Sequence, residues 1–117
     1  MNHKQVGDYG ENIALEYLIK NGYRVLDKNF RALGTEIDLI ALKKDELIFI
    51  EVKTRRNRQF GDAYEAVTER KMNHIIQTAQ SYIQQKNLYQ YMVRFDIIEI
   101  YLMENKLNHI KNAFILS

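Results

Sequence analysis

The sequence predicts an α/β (α+β) fold with helices flanking a mixed β-sheet, in the order α-β-β-β-α-β-β. Three observations predict it. Residues 4–20 and 68–86 carry apolar side chains at helical spacing. Between them, Ile37 to Leu42 and Leu47 to Val52 are apolar on both faces, as strands in the middle of a sheet are. Further extended stretches follow the second helix, so strands lie on both sides of it in the chain.

The elements follow in order. Val6, Ile13, Ala14, Tyr17 and Leu18 form the stripe of the first helix, and Asn21-Gly22 stops it. Tyr23 to Phe30 reads as a strand. Lys43-Lys44-Asp45-Glu46 separates the two apolar runs and suggests a tight hairpin. Arg55 to Gly61 reads as a polar loop. Met72, Ile75, Ile76, Ala79, Tyr82 and Ile83 line one side of the second helix, Thr68 to Lys86. Tyr91 to Leu102 reads as a long strand and Lys106 to Leu116 as another.

A chain of 117 residues suits one domain, 1–117, with one core. No run approaches ~18 consecutive apolar residues, so no membrane span is expected. Met1-Asn2-His3-Lys4 leads into a polar helix rather than the apolar centre of a signal peptide. Cysteine is absent, which excludes disulfides and thiolate metal sites and fits a cytoplasmic location. The net charge of +2 is too small to argue for nucleic acid by itself. Lys53, Arg55, Arg56 and Arg58 are clustered, with Arg70 and Lys71 further on. Taken alone, such a cluster reads as a solvated loop.

The charges on the central strands are harder to dismiss. Strand alternation puts Glu51 and Lys53 on one face with Leu47 and Phe49, and Asp38 on one face with Ile40 and Leu42. A hairpin folded about Lys44-Asp45 sets Leu42 opposite Leu47 and Ile40 opposite Phe49. The next pairs on that face are Asp38 with Glu51, then Glu36 with Lys53. Directly opposed Cβ atoms lie roughly 4.5–5.5 Å apart. Two carboxylates so placed repel unless one is protonated or a cation sits between them. Asp38 and Glu51 therefore form half a cage for a hard divalent ion, and Lys53 points at the same place. An ammonium there can orient a water or stabilise charge on a phosphate. An odd-length loop would slip the register and break the pairing. The plainer alternative is a surface carboxylate pair with a lysine counter-ion.

Glu11 shares a helix face with Ala14, Leu15 and Leu18 and leans toward the core, with Gly7 and Gly10 beside it permitting close backbone approach. By spacing alone it reads first as a boundary glutamate. His3, His74 and His109 match no zinc spacing and read as surface residues. Among the eight tyrosines, Tyr9, Tyr17 and Tyr82 lie on or beside helical core stripes, so core packing is the expectation for them.

Together these motifs resemble a known family. They are Gly10-Glu11 with Ala14 and Tyr17-Leu18, Gly22-Tyr23, Asn29-Phe30-Arg31 and Glu36-Ile37-Asp38-Leu39-Ile40. Phe49-Ile50-Glu51-Val52-Lys53-Thr54-Arg55, Phe60-Gly61, Ala66-Val67 with Lys71, and Arg94-Phe95-Asp96 complete them. The pattern resembles the YraN-type family of small bacterial endonuclease-like proteins, from Gly7 to about Ile100. That family in turn looks like Holliday-junction resolvases and the restriction-endonuclease-like PD-(D/E)xK superfamily. The resemblance implies a restriction-endonuclease-like fold and a magnesium (or manganese) site. Its catalytic residues would be Glu11, Asp38, Glu51 and Lys53, and its metal ligands Asp38, Glu51 and the backbone carbonyl of Val52. The family places glycine directly before the Glu-Ile-Asp run, whereas here Thr35 follows Gly34, which leaves the turn entering that strand open.

The function expected is hydrolysis of phosphodiester bonds in DNA, branched or single-stranded, in repair or recombination. Arg55, Arg56 and Lys71 would hold the DNA backbone without reading sequence. One small domain cuts one strand, so coordinated cutting of two would need a homodimer. Activity only within a larger DNA-processing complex is a further expectation. The rival is a non-catalytic nucleic-acid-binding or partner-docking module that retains the fold.

Overall fold

A computed structural model describes residues 1–56 and 68–114. Arg58, Phe60-Gly61 and Ala66-Val67 of the motifs above lie outside the described residues. The elements are α1 (His3–Lys20), β1 (Arg24–Ala32), β2 (Thr35–Lys43), β3 (Glu46–Arg55), α2 (Glu69–Lys86), β4 (Met92–Tyr101) and β5 (Lys106–Ile110). Their order is the α-β-β-β-α-β-β expected, and the strands form one mixed five-stranded sheet in the order β1-β2-β3-β4-β5. Only β3 and β4 are parallel among these neighbours, with α2 in the chain between them.

Local sequence explains the boundaries. The Asn2 side chain accepts from the Gln5 N–H while the Gln5 side chain accepts from the Asn2 N–H, a reciprocal cap that starts α1. Gly22, at φ +84°, turns the chain out of the helix. Thr68 caps α2, and Asn87 ends it in the left-handed conformation. β2 and β3 meet across Lys44-Asp45 with Lys43 opposite Glu46, Leu42 opposite Leu47 and Ile40 opposite Phe49. The turn into β2 is a two-residue one. Ala32 pairs with Thr35, and Leu33 and Gly34 both have positive φ, +55° and +76°. Thr35 is thus the first residue of the strand, and the glycine falls inside the turn.

Two expectations need correction. Arg55 closes β3 opposite Tyr101 rather than opening a loop, because β4 continues the sheet beyond the charged residues. β5 stops at Ile110 instead of running to Leu116. Asn112, at φ +53°, leaves the extended conformation and donates its N–H to Asp96 Oδ1. Residues 115–117 lie outside the described residues.

The sheet is covered on both faces. Ala14 and Leu18 of α1 pack with Leu39, Ala41, Ile48, Ile50, Ile98 and Ile100. Ile75, Ala79 and Tyr82 of α2 pack with Ile37, Ile40, Leu47, Phe49 and Phe95 on the other. Strand alternation divides these residues between the layers, Ile48 and Ile50 to one and Leu47 and Phe49 to the other. In β2 the alternation breaks. Ile37 and Ile40 share the α2 side although they are three residues apart, and Asp38 sits at the break. No helix among the described residues is long and apolar enough to cross a membrane.

Gly10 sets how closely α1 approaches the sheet. A Cβ there would stand 1.8 Å from Thr54 Oγ1 and 2.8 Å from Thr54 Cβ, so only glycine fits. A Cβ on Gly7 would meet nothing within 4 Å, so close approach is used at Gly10 alone of the two.

Candidate active site

Buried charge lies on the central strands at Arg94-Asp96, at Glu99 and at Glu51, and comparing the first with the last locates the site. In the middle of β4, Asp96 is 0% exposed. Its Oδ1 accepts from Arg94 Nε and the Asn112 N–H, and its Oδ2 from Arg94 Nη2 and His109 Nε2. Arg94 also donates to Glu46 and Tyr23, and the Tyr17 hydroxyl meets His109 Nδ1 at 2.8 Å. Burial alone would raise the Asp96 carboxyl. The bonds from His109 and Arg94 overcome this and hold it below the usual carboxylate range. This group is satisfied and structural. It also corrects the reading of His109 as a surface residue, since its side chain is buried between β4 and α1.

The group at Glu51, toward the end of β3, is not satisfied. Glu51 is 4% exposed, and its Oε1 is the one buried side-chain polar atom without a hydrogen-bond partner among the described residues. Lys71 Nζ stands 3.7 Å and Lys53 Nζ 4.0 Å from its Oε2. Burial first, then the charge of Asp38, pushes the Glu51 carboxyl up to about 8, against the pull of Lys71 and Lys53. Asp38 is raised to about 6, chiefly by burial, although the N–H of Val52 steadies its charge. Burial and the nearby Lys71 bring Lys53 down to about 8. A buried carboxylate oxygen without a donor costs about 1–3 kcal/mol or more. Native structures tolerate few such groups, and an unfilled ligand position is one cause.

The backbone explains how these groups meet. Pairing of β2 with β3 is recorded as far as Leu39 opposite Ile50. One residue further, the Asp38 side chain takes over the work of the ladder and accepts the Val52 N–H at 2.7 Å. Asp38 is thereby held beside Glu51 at the point where the chain alternation of β2 breaks. Glu11 comes from α1, brought close by Gly10, and burial raises its carboxyl.

An open cavity of about 620 Å³ collects these residues. Glu11, Glu36, Asp38 and Glu51 supply carboxylates to its wall, and Lys53, Arg70 and Lys71 supply cations. Carboxylate oxygens of Glu11, Glu36 and Asp38 can lie within 4.8 Å of one another. All-oxygen donors of this kind suit a hard cation such as magnesium or manganese. Asp38 belongs both to this trio and to the expected set of Asp38, Glu51 and Val52, which also lines the cavity.

Of the residues expected to carry function, Glu11, Asp38, Glu51, Val52, Lys53 and Lys71 line the same cavity. Arg55 and Arg56 do not: Arg55 Nη1 donates to the Thr54 carbonyl, and Arg56 donates to the Met1 carbonyl. Lys71, expected on the DNA backbone, stands beside Glu51 on the cavity wall. The sequence reading missed Glu36 as a member of the acidic group, although it shares the alternation of Asp38 in Glu36-Ile37-Asp38. Tyr9, expected in the core, is 51% exposed and lines an open recess with Ile13, Ile100 and Leu107 at the margin of the α1 layer.

Comparison with known proteins finds relatives over nearly the whole chain. The profile of the uncharacterised protein family UPF0102 matches residues 10–100. A UPF0102 protein of Clostridioides difficile (strain 630) is 48% identical over 114 residues, spanning 97% of this chain and 100% of its own length. One from Caldanaerobacter subterraneus subsp. tengcongensis is 51% identical over 119 residues, 97% of this chain and 98% of its own. One from Caldicellulosiruptor saccharolyticus is 41% identical, over 97% and 100%.

Proposed function

The chain belongs to the uncharacterised protein family UPF0102, and we propose that it is a metal-dependent nuclease that hydrolyses phosphodiester bonds in DNA. The observation that carries this reading is the orphaned Oε1 of buried Glu51, set beside Asp38 and under two lysines in an open cavity. Carboxylates and cations side by side in one cavity suit a ligand set of one cation and one phosphate. The PD-(D/E)xK resemblance supports the same reading.

Asp38 and Glu51 would hold a magnesium or manganese ion, with Glu11 and the Val52 carbonyl as further donors. A bound divalent ion polarises a phosphate oxygen and lowers the pKa of a bound water. The chain's own groups do the rest. Lys53 carries its ammonium at Glu51 and orients the attacking water or steadies charge that grows on the phosphate. Asp38, fixed by the Val52 N–H, keeps its carboxylate in place without reorganisation. Lys71 and Arg70 line the wall where a scissile or neighbouring phosphate would sit. Arg55 and Arg56, outside the cavity, would touch the backbone further along the strand. A cytoplasmic enzyme, dimeric where two strands are cut together or working within a larger complex, is part of this proposal.

The test is a cleavage screen over single-stranded, flapped and four-way DNA with magnesium or manganese. Wild type should cut at least one form. Asp38→Asn should bind DNA but not cut it, and should lose most of the metal-induced rise in melting temperature. Lys53→Ala should keep the metal-induced rise and lose cleavage, since its role lies in the transition state. A wild-type protein that binds DNA but is neither stabilised by metal nor able to cut would favour the non-catalytic binding module. Cutting that survives Asp38→Asn would place the activity elsewhere or in a contaminant.

A further inference from the structure

Glu11 and Glu36 reach the acidic group from different elements, α1 and β2. As carboxylates they repel, so something must set their separation. The Asn29 side chain does so: its Nδ2 donates to Glu11 Oε1 at 2.9 Å and to Glu36 Oε1 at 2.8 Å. Arg31 Nε then donates to Glu36 Oε2 at 2.7 Å. Both oxygens of Glu36 are thus engaged, while among the described residues Oε2 of Glu11 makes no hydrogen bond. Asn29 does not line the large cavity. It lines a recess of about 240 Å³ on the other side of Glu11, with Asp8, Asn12 and Lys28.

We propose that Asn29 is a positioning residue whose amide ties Glu11 to Glu36, making Glu36 an anchor and Glu11 the carboxylate presented beside Asp38. The proposal rests on the metal-site reading given above. The chemistry favours an amide for this task. Its two N–H groups bridge two carboxylates without adding charge, whereas a lysine would neutralise the site and an aspartate would add repulsion. Groups that orient ligands from behind typically govern metal affinity by about 10–100-fold when removed.

Asn29 also has a backbone role, since its φ is +55°. Glycine adopts that conformation freely. Asn29→Gly therefore keeps the backbone and removes only the amide, which separates the two roles. Three measurements test the proposal: exchange of the Asn29 side-chain amide protons by NMR in metal-free wild type, Mn2+ affinity by calorimetry, and urea unfolding. We expect slowed amide exchange in the wild type. For Asn29→Gly we expect Mn2+ affinity about 10–100-fold weaker with the single cooperative urea transition kept. Amide protons exchanging at solvent rates, or an Asn29→Gly protein that binds Mn2+ like the wild type, would overturn the proposal. Slowed exchange in a wild type that binds no Mn2+ would instead overturn the metal reading, and the positioning role with it, while leaving the hydrogen bonds intact.

Discussion

Replacing Glu51 with glutamine should stabilise the metal-free protein, and by an amount that depends on pH. Glu51 is almost wholly buried, and its carboxyl is raised from 4.5 to about 8. The folded state therefore keeps a proton between those values that the unfolded state has already lost. An acid raised in this way makes stability fall as pH rises through the window, here from about 4.5 to 8, and level out above it. Each pH unit is worth about 1.4 kcal/mol, so at pH 7 the proton that Glu51 must take up on folding costs about 3 kcal/mol. Glutamine keeps the shape and has no proton to lose, but gives up the attraction of Lys71 and Lys53. Glu51→Gln should thus gain about 2–3 kcal/mol at pH 7 and nearly nothing at pH 4.5. With a urea dependence of about 1–3 kcal/mol per molar, the midpoint should rise by about 1–3 M. The assay is urea unfolding of both proteins from pH 4.5 to 8.5 with excess chelator, read as the difference between the two curves. Asp38, raised from 3.8 to about 6, contributes its own fall at lower pH in both proteins. Parallel curves, or a variant less stable at pH 8, would refute the argument that Glu51 is an uncompensated buried acid.

Three further outcomes follow from other parts of the fold. Gly10→Ala puts a methyl into Thr54 and should cost about 1–3 kcal/mol in thermal or urea unfolding, less the helix preference of alanine; because Glu11 rides on the same turn, Mn2+ affinity should fall too. Leu33 is 71% exposed at φ +55°, so Leu33→Asn should raise stability by about 1 kcal/mol and the melting temperature by about 4 °C. Arg55→Ala with Arg56→Ala should weaken DNA binding equally for all sequences, and should flatten the salt dependence by about one counterion per lost phosphate contact. Unchanged affinity and slope would return both arginines to a structural role.

Much of this was legible in the chain because it follows from period and turn chemistry. The Leu42–Leu47 and Ile40–Phe49 pairs follow from two apolar runs joined across Lys44-Asp45, and they carry Asp38 toward Glu51. What escaped reading depends on side chains meeting across layers. No local pattern shows that Asp38 will replace a ladder bond at Val52, or that Lys71 of α2 will stand over Glu51. His109 looks like any polar residue of an edge strand until Asp96 and Tyr17 close on it. Tyr9 lies at the margin of a helical stripe, where one residue of rotation decides whether a ring is covered.

The β1-β2-β3 meander has a kinetic consequence. Asn29, Glu36, Asp38, Glu51 and Lys53 all lie on these three strands, which are joined by two-residue turns. Contacts so near in sequence form early, whereas the parallel β3–β4 pair must wait for the long connection through α2. We expect the carboxylates to come together while still wet, with their charge tolerated by water. The penalty then falls on the later step, in which α1 and α2 dock and dry the site. Refolding followed by stopped flow in chelator should therefore slow between pH 5 and 8 in the wild type. Glu51→Gln should slow only up to about pH 6, where Asp38 titrates, and refold at nearly the same rate from there to pH 8; equal slowing of both proteins above pH 6 would assign the barrier elsewhere.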